Sequence, residues 1–215
     1  MPLHKLYSLN LVLLRFDVVG MYKTILLKHG VSPMRLLVVS SIVGKTPEDI
    51  TYSFVFDEIT RLMRRGIEVH VARSKFEGSG YSYGIYFHDL RNDIMLTAIP
   101  YTLKVLKCYP FISLLRIPIN IYRTSIYSYS IHKLIEEIEP DVIHAHFAYP
   151  EGWVAALAKL SLNTSTPLVV TLHGYDILTE PSVGYGIRLY KHYDLIVRKV
   201  LEKADAVIVA SRAVF

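Results

Sequence analysis

Several residue types that mark particular protein classes are rare or missing in this sequence. Cys108 is the single cysteine among 215 residues, so no internal disulfide can form and a reducing compartment is expected. Glutamine is absent and asparagine occurs four times. The net charge is +5, yet no block of five like charges occurs. Such scattered charge favours an ordinary basic surface, with attraction to anionic lipids or phosphates as the alternative, and we predict no nucleic-acid partner.

The amino-terminal 33 residues are apolar but lack the features of a targeting segment. Arg15, Asp17 and Lys23 interrupt the segment, so no uncharged run approaches the ~18 residues that a membrane-spanning helix needs, and no small-residue cleavage site follows. Met34 comes directly before an apolar run that reads as the first strand of a domain. We therefore expect residues 1–33 to be an extension, or to lie upstream of the true start, and residues 34–215 to form the domain.

From Met34 onward, apolar runs alternate with helical spacing, which is typical of βαβ units and a mainly parallel α/β sheet with helices on both faces. A helix is predicted to start near Thr46 and to pack Val55, Ile59 and Leu62 on the sheet, with Gly66 at its end. The predicted strands are 35–41, 68–72, 94–99, 142–145, 168–172 and 206–210. Residues 73–93 suit a hairpin or a loop, and residues 101–139 are predicted to be helical, with breaks at two prolines.

The segment 109–131 mixes tyrosine, isoleucine and phenylalanine with Arg116 and Arg123. A pair of helices buried against the sheet, with the arginines exposed, explains this composition best. A helix at a membrane interface has a similar composition. Together with the reducing compartment, a buried helix pair predicts a cytoplasmic protein. The interfacial helix predicts peripheral contact at the inner face of the membrane, which is the alternative.

Two predicted strands end in titratable residues, His146 on the first and His173 on the second. Side chains at the carboxyl ends of parallel strands meet in one crevice, where ligands bind. His144 and His146 lie two apart on one strand, so they share a face and can ligate a metal, with His173 or Asp176 as further ligands. Hydrogen-bonded strand-end histidines are commoner than such sites, so no metal is assigned. A metal hydrolase built on His144 and His146 is the lesser alternative.

The stretch from His173 to Asp176 combines a histidine, a glycine and an acid at a strand end. Gly174 allows a sharp turn or a close approach of the backbone to a ligand. His173 can donate to a sugar hydroxyl or a phosphate, and Asp176 can accept from a hydroxyl. A structural turn with a solvated Asp176 is the alternative.

Gly44 and Lys45 precede the predicted start of a helix, where free N–H groups and the helix dipole favour an anion. Neither GxxxxGK[ST] nor GxGxxG occurs in the chain. We predict that Gly44 and Lys45 approach a phosphate of a larger ligand, and a plain capped helix is the alternative.

Three segments in order are more specific than any single motif: PDVIHAHFAYPEGWVAALAKL, PLVVTLHGYDI and KADAVIVASRAVF. Together they resemble the amino-terminal half of the retaining glycosyltransferases of family four, which have the two-domain GT-B fold. The earlier segment RLMRRGIEVHVA is similar to the family's helix and second strand. The resemblance implies a Rossmann-like open sheet that faces the acceptor, with a nucleotide-sugar donor held mostly by a second, carboxyl-terminal domain.

The resemblance also implies roles for individual residues. His173 matches the family's histidine near the donor sugar and is the expected catalytic residue. The loop at Gly44 and Lys45 is expected to approach the donor diphosphate, although the family often has paired glycines there. The residues expected in the acceptor cleft are His146, Glu151, Gly152, Gly174 and Asp176. No cofactor or metal is required on this view, because the nucleotide-sugar is a substrate.

The family's pair of donor-binding glutamates has no counterpart before Phe215, and residues 211–215 read as the first turn of a further helix. We therefore expect a domain that is incomplete at its carboxyl end, little sugar transfer by the isolated chain, and a donor half supplied in cis or in trans. The leading hypothesis is the acceptor side of a retaining transferase that acts on a glycan or lipid. A non-catalytic sugar- or nucleotide-binding remnant of a disrupted gene is the alternative.

Overall fold

A computed structural model of the protein describes residues 33–44, 46, 53–75, 77–90, 94–110 and 118–209. Within these ranges one seven-stranded sheet carries helices on both faces. The strands are β1 (Arg35–Val39), β2 (Glu68–Ala72), β3 (Gly80–Ser82), β4 (Ile85–His88), β5 (Val142–His146), β6 (Leu168–Leu172) and β7 (Ala206–Val209). The helices are α1 (Ser53–Met63), α2 (Ile94–Val105), α3 (Pro118–Ile138), α4 (Trp153–Leu162) and α5 (Lys191–Lys203).

The strand order is β3-β4-β2-β1-β5-β6-β7, and only the β3/β4 pair is antiparallel. From β1 the chain first extends the sheet on one side through β2 and β4. It then returns to add β5, β6 and β7 on the other side of β1. The order therefore reverses between β1 and β5, and this switch point opens a crevice at the carboxyl edge of the sheet. The predicted Rossmann-like, mainly parallel sheet is confirmed.

The sheet separates two hydrophobic cores. On one face α1 buries Val55, Ile59 and Leu62 against the strands, as their spacing predicted. Helices α2 to α5 cover the opposite face. The buried positions of α3 include four residues at helical spacing near its end, Ile131, Leu134, Ile135 and Ile138. Gly66 ends the α1 segment with a positive φ of 84°, and its N–H donates to Met63 O.

The predicted strand at 94–99 is wrong, because these residues form the first half of α2. A short apolar run does not distinguish a strand from a buried helix by periodicity alone. The helix continues to Val105, and its buried residues Ala98, Tyr101 and Val105 lie on one helical face. The spacing that decides between the two structures therefore becomes visible only over the longer segment.

The edge of the sheet is instead built from residues 80–88, within the segment predicted as a hairpin or a loop. Strands β3 and β4 pair antiparallel around the two-residue turn Tyr83-Gly84. Both turn residues have positive φ, 52° and 81°, which matches the twist of a tight hairpin. The hairpin alternative is confirmed for these residues.

Other predictions meet the limits of the described ranges. Residues that lie outside these ranges include the first helical turn predicted after Thr46, Lys45 in the phosphate loop, Arg116, most of the amino-terminal extension and the turn at 211–215. The predicted helical region 101–139 is interrupted between α2 and α3, and α3 begins at Pro118. Among the helices described, none is long and apolar enough to cross a membrane.

A buried ion pair ties the loops after β2 and β4 together. Arg73 follows β2 directly and is 1% exposed. Its guanidinium donates from Nε and Nη2 to the two carboxylate oxygens of Asp89, at 2.7 Å each, and from Nη1 to Val43 O at 3.3 Å. The same side chain therefore supports three loops at the carboxyl edge, including the one after β1.

We predict that Asp89→Asn lowers the free energy of unfolding by about 3 kcal/mol, because the buried guanidinium of Arg73 loses its buried carboxylate and keeps only a half-exposed one, Glu77, 3.1 Å from its Nη2. Urea unfolding followed by circular dichroism measures this change. The control is Glu136→Gln, which breaks an exposed ion pair with Lys133 at 2.8 Å. The free energy of unfolding of this variant should fall by only ~0.5 kcal/mol. Equal losses in the two variants would contradict the prediction.

Candidate functional site

The candidate site lies at the carboxyl ends of β1, β5 and β6. Strands β1 and β5 are hydrogen-bonded neighbours, and β6 lies next to β5. The loops that follow these strands carry most of the residues that the sequence predicted for the cleft. Strand order therefore brings residues from distant parts of the chain to one edge.

Asp176 connects the loops after β5 and β6. Its Oδ2 accepts from Ala148 N at 2.8 Å, and its Oδ1 accepts from His173 N and Gly174 N at 3.1 Å each. The residue is 1% exposed. The structure thus places Asp176 in a structural turn, the alternative considered from sequence, but buried instead of solvated. Its predicted role as an acceptor-cleft residue stays a prediction.

Gly174 is required by the backbone of this turn. Its φ is +104°, a conformation that residues with a Cβ rarely adopt. Its carbonyl accepts from Ile177 N and Leu178 N, at 3.0 and 2.7 Å. The glycine therefore allows the chain to reverse directly after His173, which keeps this histidine at the strand end.

His173 and His146 share a hydrogen bond, Nε2 to Nδ1, at 3.1 Å. The ring of His173 lies between Phe54 and Phe147, with centroid distances of 4.9 and 4.5 Å. Burial lowers the pKa of His173, so the imidazole is neutral at pH 7. The Nδ1 of His173 forms no hydrogen bond to any residue that the structure describes. A neutral ring that accepts at Nε2 carries its proton on Nδ1, which can then donate to a ligand.

The side chain of Glu151, in the loop after β5, forms a hydrogen bond across the switch point to the loop after β1. It lies in a π-helical turn, Ala148–Gly152, that leads into α4. Its Oε1 accepts from Ser41 N at 3.3 Å, and the residue is 3% exposed. Burial raises the pKa of Glu151 to about 7. The side chain can therefore be protonated or ionised near neutral pH.

Gly152 and Gly44 have different surroundings. A Cβ on Gly152 would lie 2.9 Å from Val200 Cγ1 and 3.0 Å from Phe147 O, so this position serves the packing of the loop on α5. Gly44 is buried in the loop after β1, next to Val43, whose carbonyl accepts from Arg73. The predicted contacts of Gly44 with phosphate and of Gly152 with an acceptor stay predictions.

A cavity of about 420 Å³ opens beside these loops, on the face of the sheet covered by α3 and α4. Its polar lining includes Asn120 and Arg123 from the start of α3, and Ser74 from the loop after β2. Tyr149 and Tyr193 form an aromatic wall, with ring centroids 4.8 Å apart. The volume lies in the range of small-molecule sites, and the lining combines ring faces with one cation.

The sequence model of Glycosyltransferase Family 4 matches residues 53–215. The chain belongs to this family. The resemblance inferred from three sequence segments is therefore confirmed.

Two curated relatives share parts of this Glycosyltransferase Family 4 sequence. A putative teichuronic acid biosynthesis glycosyltransferase, TuaC of Bacillus subtilis, is 44% identical over 50 residues, which are 23% of this chain and 12% of the relative. An uncharacterized glycosyltransferase, MJ1178 of Methanocaldococcus jannaschii, is 50% identical over 66 residues, 30% of this chain and 18% of the relative. The matched segments thus span less than a fifth of either relative.

Two solved structures share the fold of the Glycosyltransferase Family 4 domain. Sucrose-phosphate synthase from Thermosynechococcus elongatus has a TM-score of 0.52 at 14% identity, covering 83% of this chain and 42% of that structure. An α,α-trehalose-phosphate synthase (UDP-forming) from Burkholderia vietnamiensis has a TM-score of 0.52 at 11% identity, covering 86% and 42%. The chain spans less than half the length of these structures, and the likeness shows the α/β fold.

Sequence reasoning missed Glu58 and Arg73, although both carry a readable signal. Glu58 occupies an apolar-face position of α1, between Val55 and Ile59, where an acid is unexpected. Its burial raises the pKa of Glu58 to about 7. Arg73 is a charged residue directly after the apolar end of β2, Val71-Ala72, and its partner Asp89 directly follows β4. Charged residues at such positions are paired or functional when they are buried.

We predict that Glu151→Gln removes a pH dependence of stability. The folded pKa of about 7 lies above the ordinary value of 4.5, so the folded state binds more protons between these values. The contribution of Glu151 to stability is therefore present below pH 4.5 and is lost as the pH rises through 7. Relative to the variant, the wild type should lose about 3 kcal/mol of unfolding free energy from pH 5 to pH 8.

Chemical denaturation at several pH values measures the difference between the two proteins. The other buried groups, including Glu58 and the histidines, titrate in both and cancel in this difference. A difference that does not change with pH would show that the Glu151 carboxyl titrates normally.

Proposed function

We propose that the chain is the acceptor-side domain of a retaining glycosyltransferase, which transfers a sugar from a nucleotide-sugar to a glycan or lipid. Membership of Glycosyltransferase Family 4 supports sugar transfer as the reaction class. The observation that carries the proposal is His173, held at the switch-point crevice by Gly174 and Asp176, with its Nε2 bonded to His146. A fixed, neutral imidazole at a strand end is suited to donate from Nδ1 to a hydroxyl or a phosphate oxygen.

Transfer with retention requires that the nucleotide leaving group is stabilised and that the acceptor hydroxyl attacks from the same face of the sugar. In this proposal His173 donates to the donor sugar or to the departing phosphate. The loop at Gly44, which leads toward α1, and Lys45 approach the diphosphate. The opposite wall of the cleft, which holds most of the nucleotide, comes from a second domain in cis or in trans. This chain covers 42% of each of the two solved structures, which supports a division of the enzyme into two domains.

We place part of the acceptor in the 420 Å³ cavity. Tyr149 and Tyr193 offer ring faces to the apolar side of a sugar or to a lipid-linked group. Arg123 is exposed at the cavity and forms a cationic point for a phosphate or carboxylate. The Bacillus subtilis relative is named for the biosynthesis of an acid, teichuronic acid, which agrees with an anionic acceptor.

We expect His173→Ala to lower kcat by about 10²–10⁴-fold in the enzyme that carries this domain with its donor-binding half, because a positioned donor to the leaving group is lost. Release of nucleoside diphosphate measures the rate. The control is His132→Ala, which removes a partly buried imidazole on α3, bonded to Ser161. A rate for His173→Ala close to that of the control would refute the role. If nucleotide-sugar binds but no transfer occurs in the wild type, the non-catalytic binding module is favoured.

We expect Arg123→Met to raise the KM for an anionic acceptor by about 10-fold or more, with little change in the KM for the nucleotide-sugar, because one charge-assisted hydrogen bond to the acceptor is lost. Initial rates at varied acceptor and donor concentrations separate the two constants. Arg64→Met, at an exposed position after α1, is the matched control. An unchanged acceptor KM, or an equal change for donor and acceptor, would contradict this use of the cavity.

A further inference from the structure

A cluster of three potential metal ligands lies next to the proposed catalytic histidine, between the sheet and α1. The cluster consists of Glu58 from α1 and of His144 and His146 from β5. One ligand atom from each residue lies within 4.8 Å of the other two. The predicted common face of the two histidines is confirmed, since their ring centroids are 4.5 Å apart. The third group is Glu58, whereas Asp176, considered from sequence, is engaged by backbone N–H groups.

Each histidine of the cluster has one ring nitrogen committed to a neighbouring side chain. His144 Nε2 bonds to Thr171 Oγ1 at 2.7 Å, and His146 Nδ1 bonds to His173 Nε2 at 3.1 Å. We take the second nitrogen of each ring, His144 Nδ1 and His146 Nε2, as its ligand atom beside Glu58. Metal-binding histidines use this arrangement, in which the second nitrogen is fixed by an outer hydrogen bond.

Two polar atoms of the cluster are buried with no hydrogen-bond partner among the residues that the structure describes. They are Glu58 Oε1 and His146 Nε2. His146 is fully buried, so its Nε2 is unsatisfied in either tautomer, and a buried polar atom without a partner destabilises the folded state. Glu58 Oε1 also lies 3.7 Å from His144 Nδ1, too far for a hydrogen bond. A cation beside His144 that binds Glu58 Oε1 and His146 Nε2 would give both of these buried atoms a partner.

We propose that Glu58, His144 and His146 bind a divalent transition-metal ion of the zinc type. Two imidazole nitrogens and one carboxylate oxygen form a common ligand set of zinc, and a fourth position is left for water or another ligand. Zinc bonds of about 2.0–2.1 Å need ligand atoms about 3.3 Å apart, so the side chains must close around the ion. Glu58 provides the access route, since its side chain is 25% exposed.

The metal would also fix the proton on His173. A metal at His146 Nε2 requires the proton of that ring to sit on Nδ1, where it donates to His173 Nε2. His173 must then carry its own proton on Nδ1, the form that the proposed function uses. The ion thus serves as a positioning element and takes no part in the transfer. This last role rests on the proposed function, whereas metal binding does not.

Metal binding is tested on the untagged full chain. After dialysis against chelator and reloading with zinc, elemental analysis should find about one zinc per chain. Loading with Co²⁺ should produce the visible absorption bands of a four-coordinate site. Zinc should also raise the melting temperature. A wild-type chain that binds no zinc above background and shows no Co²⁺ bands overturns the proposal without reference to any variant.

Variants assign the site. Glu58→Gln and His146→Gln, which keep side-chain volume, should each weaken zinc binding by about 100-fold or more, and Thr171→Val should weaken it by about 10–100-fold through the lost outer hydrogen bond. His132→Gln is the control and should bind as the wild type does. Zinc binding that survives Glu58→Gln and His146→Gln in folded protein overturns the assignment. A third outcome separates the two proposals. If the variants weaken zinc binding as expected but the His173→Ala enzyme keeps the wild-type transfer rate, the proposed function is refuted and the metal site is not.

Discussion

The carboxylate of Asp176 accepts three backbone N–H groups, one from the loop after β5 and two from the turn after β6. This carboxylate satisfies buried backbone N–H groups of two loops that have no partner in the sheet, as a capping residue satisfies the free N–H groups at the start of a helix. His173 lies within that turn, and Ala148 begins the segment that carries Glu151. The distance between the histidine and the switch point is therefore set by one buried side chain, and the crevice keeps its shape only while that side chain holds these three hydrogen bonds.

A second feature of the site is the concentration of titratable groups in a buried region. Burial raises the pKa of Glu151 and of Glu58, and burial lowers the pKa of His144 and His146, with a smaller contribution from neighbouring imidazoles. All of these shifts favour neutral forms, because a charge in a low-dielectric interior is costly. Near pH 7 these imidazoles and partly protonated carboxyl groups can both donate and accept hydrogen bonds.

Much of the fold could be predicted from periodicity, since parallel strands buried on both faces read as continuous apolar runs. Strands β2 and β6 were placed at their observed bounds, and the apolar face of α1 was read from Val55, Ile59 and Leu62. The region from 73 to 105 was harder to read. Its short hairpin carries few apolar residues, and Ile94 begins a run that fits a strand as well as a buried helix. The edge of the sheet was therefore assigned to the wrong residues, while its centre was predicted well.

Residues close together in the chain are enough to predict that His146 and His173 lie at the ends of two strands. The order of three segments is enough to identify the family. The tertiary structure decided which groups these histidines meet. The β5/β6 pairing brings His146 to His173, and the packing of α1 on the sheet brings Glu58 to His144. The same pairing of β5 with β6 brings the two loops together that Asp176 connects by hydrogen bonds. Contacts between distant segments follow from strand order and helix placement, which no local pattern encodes.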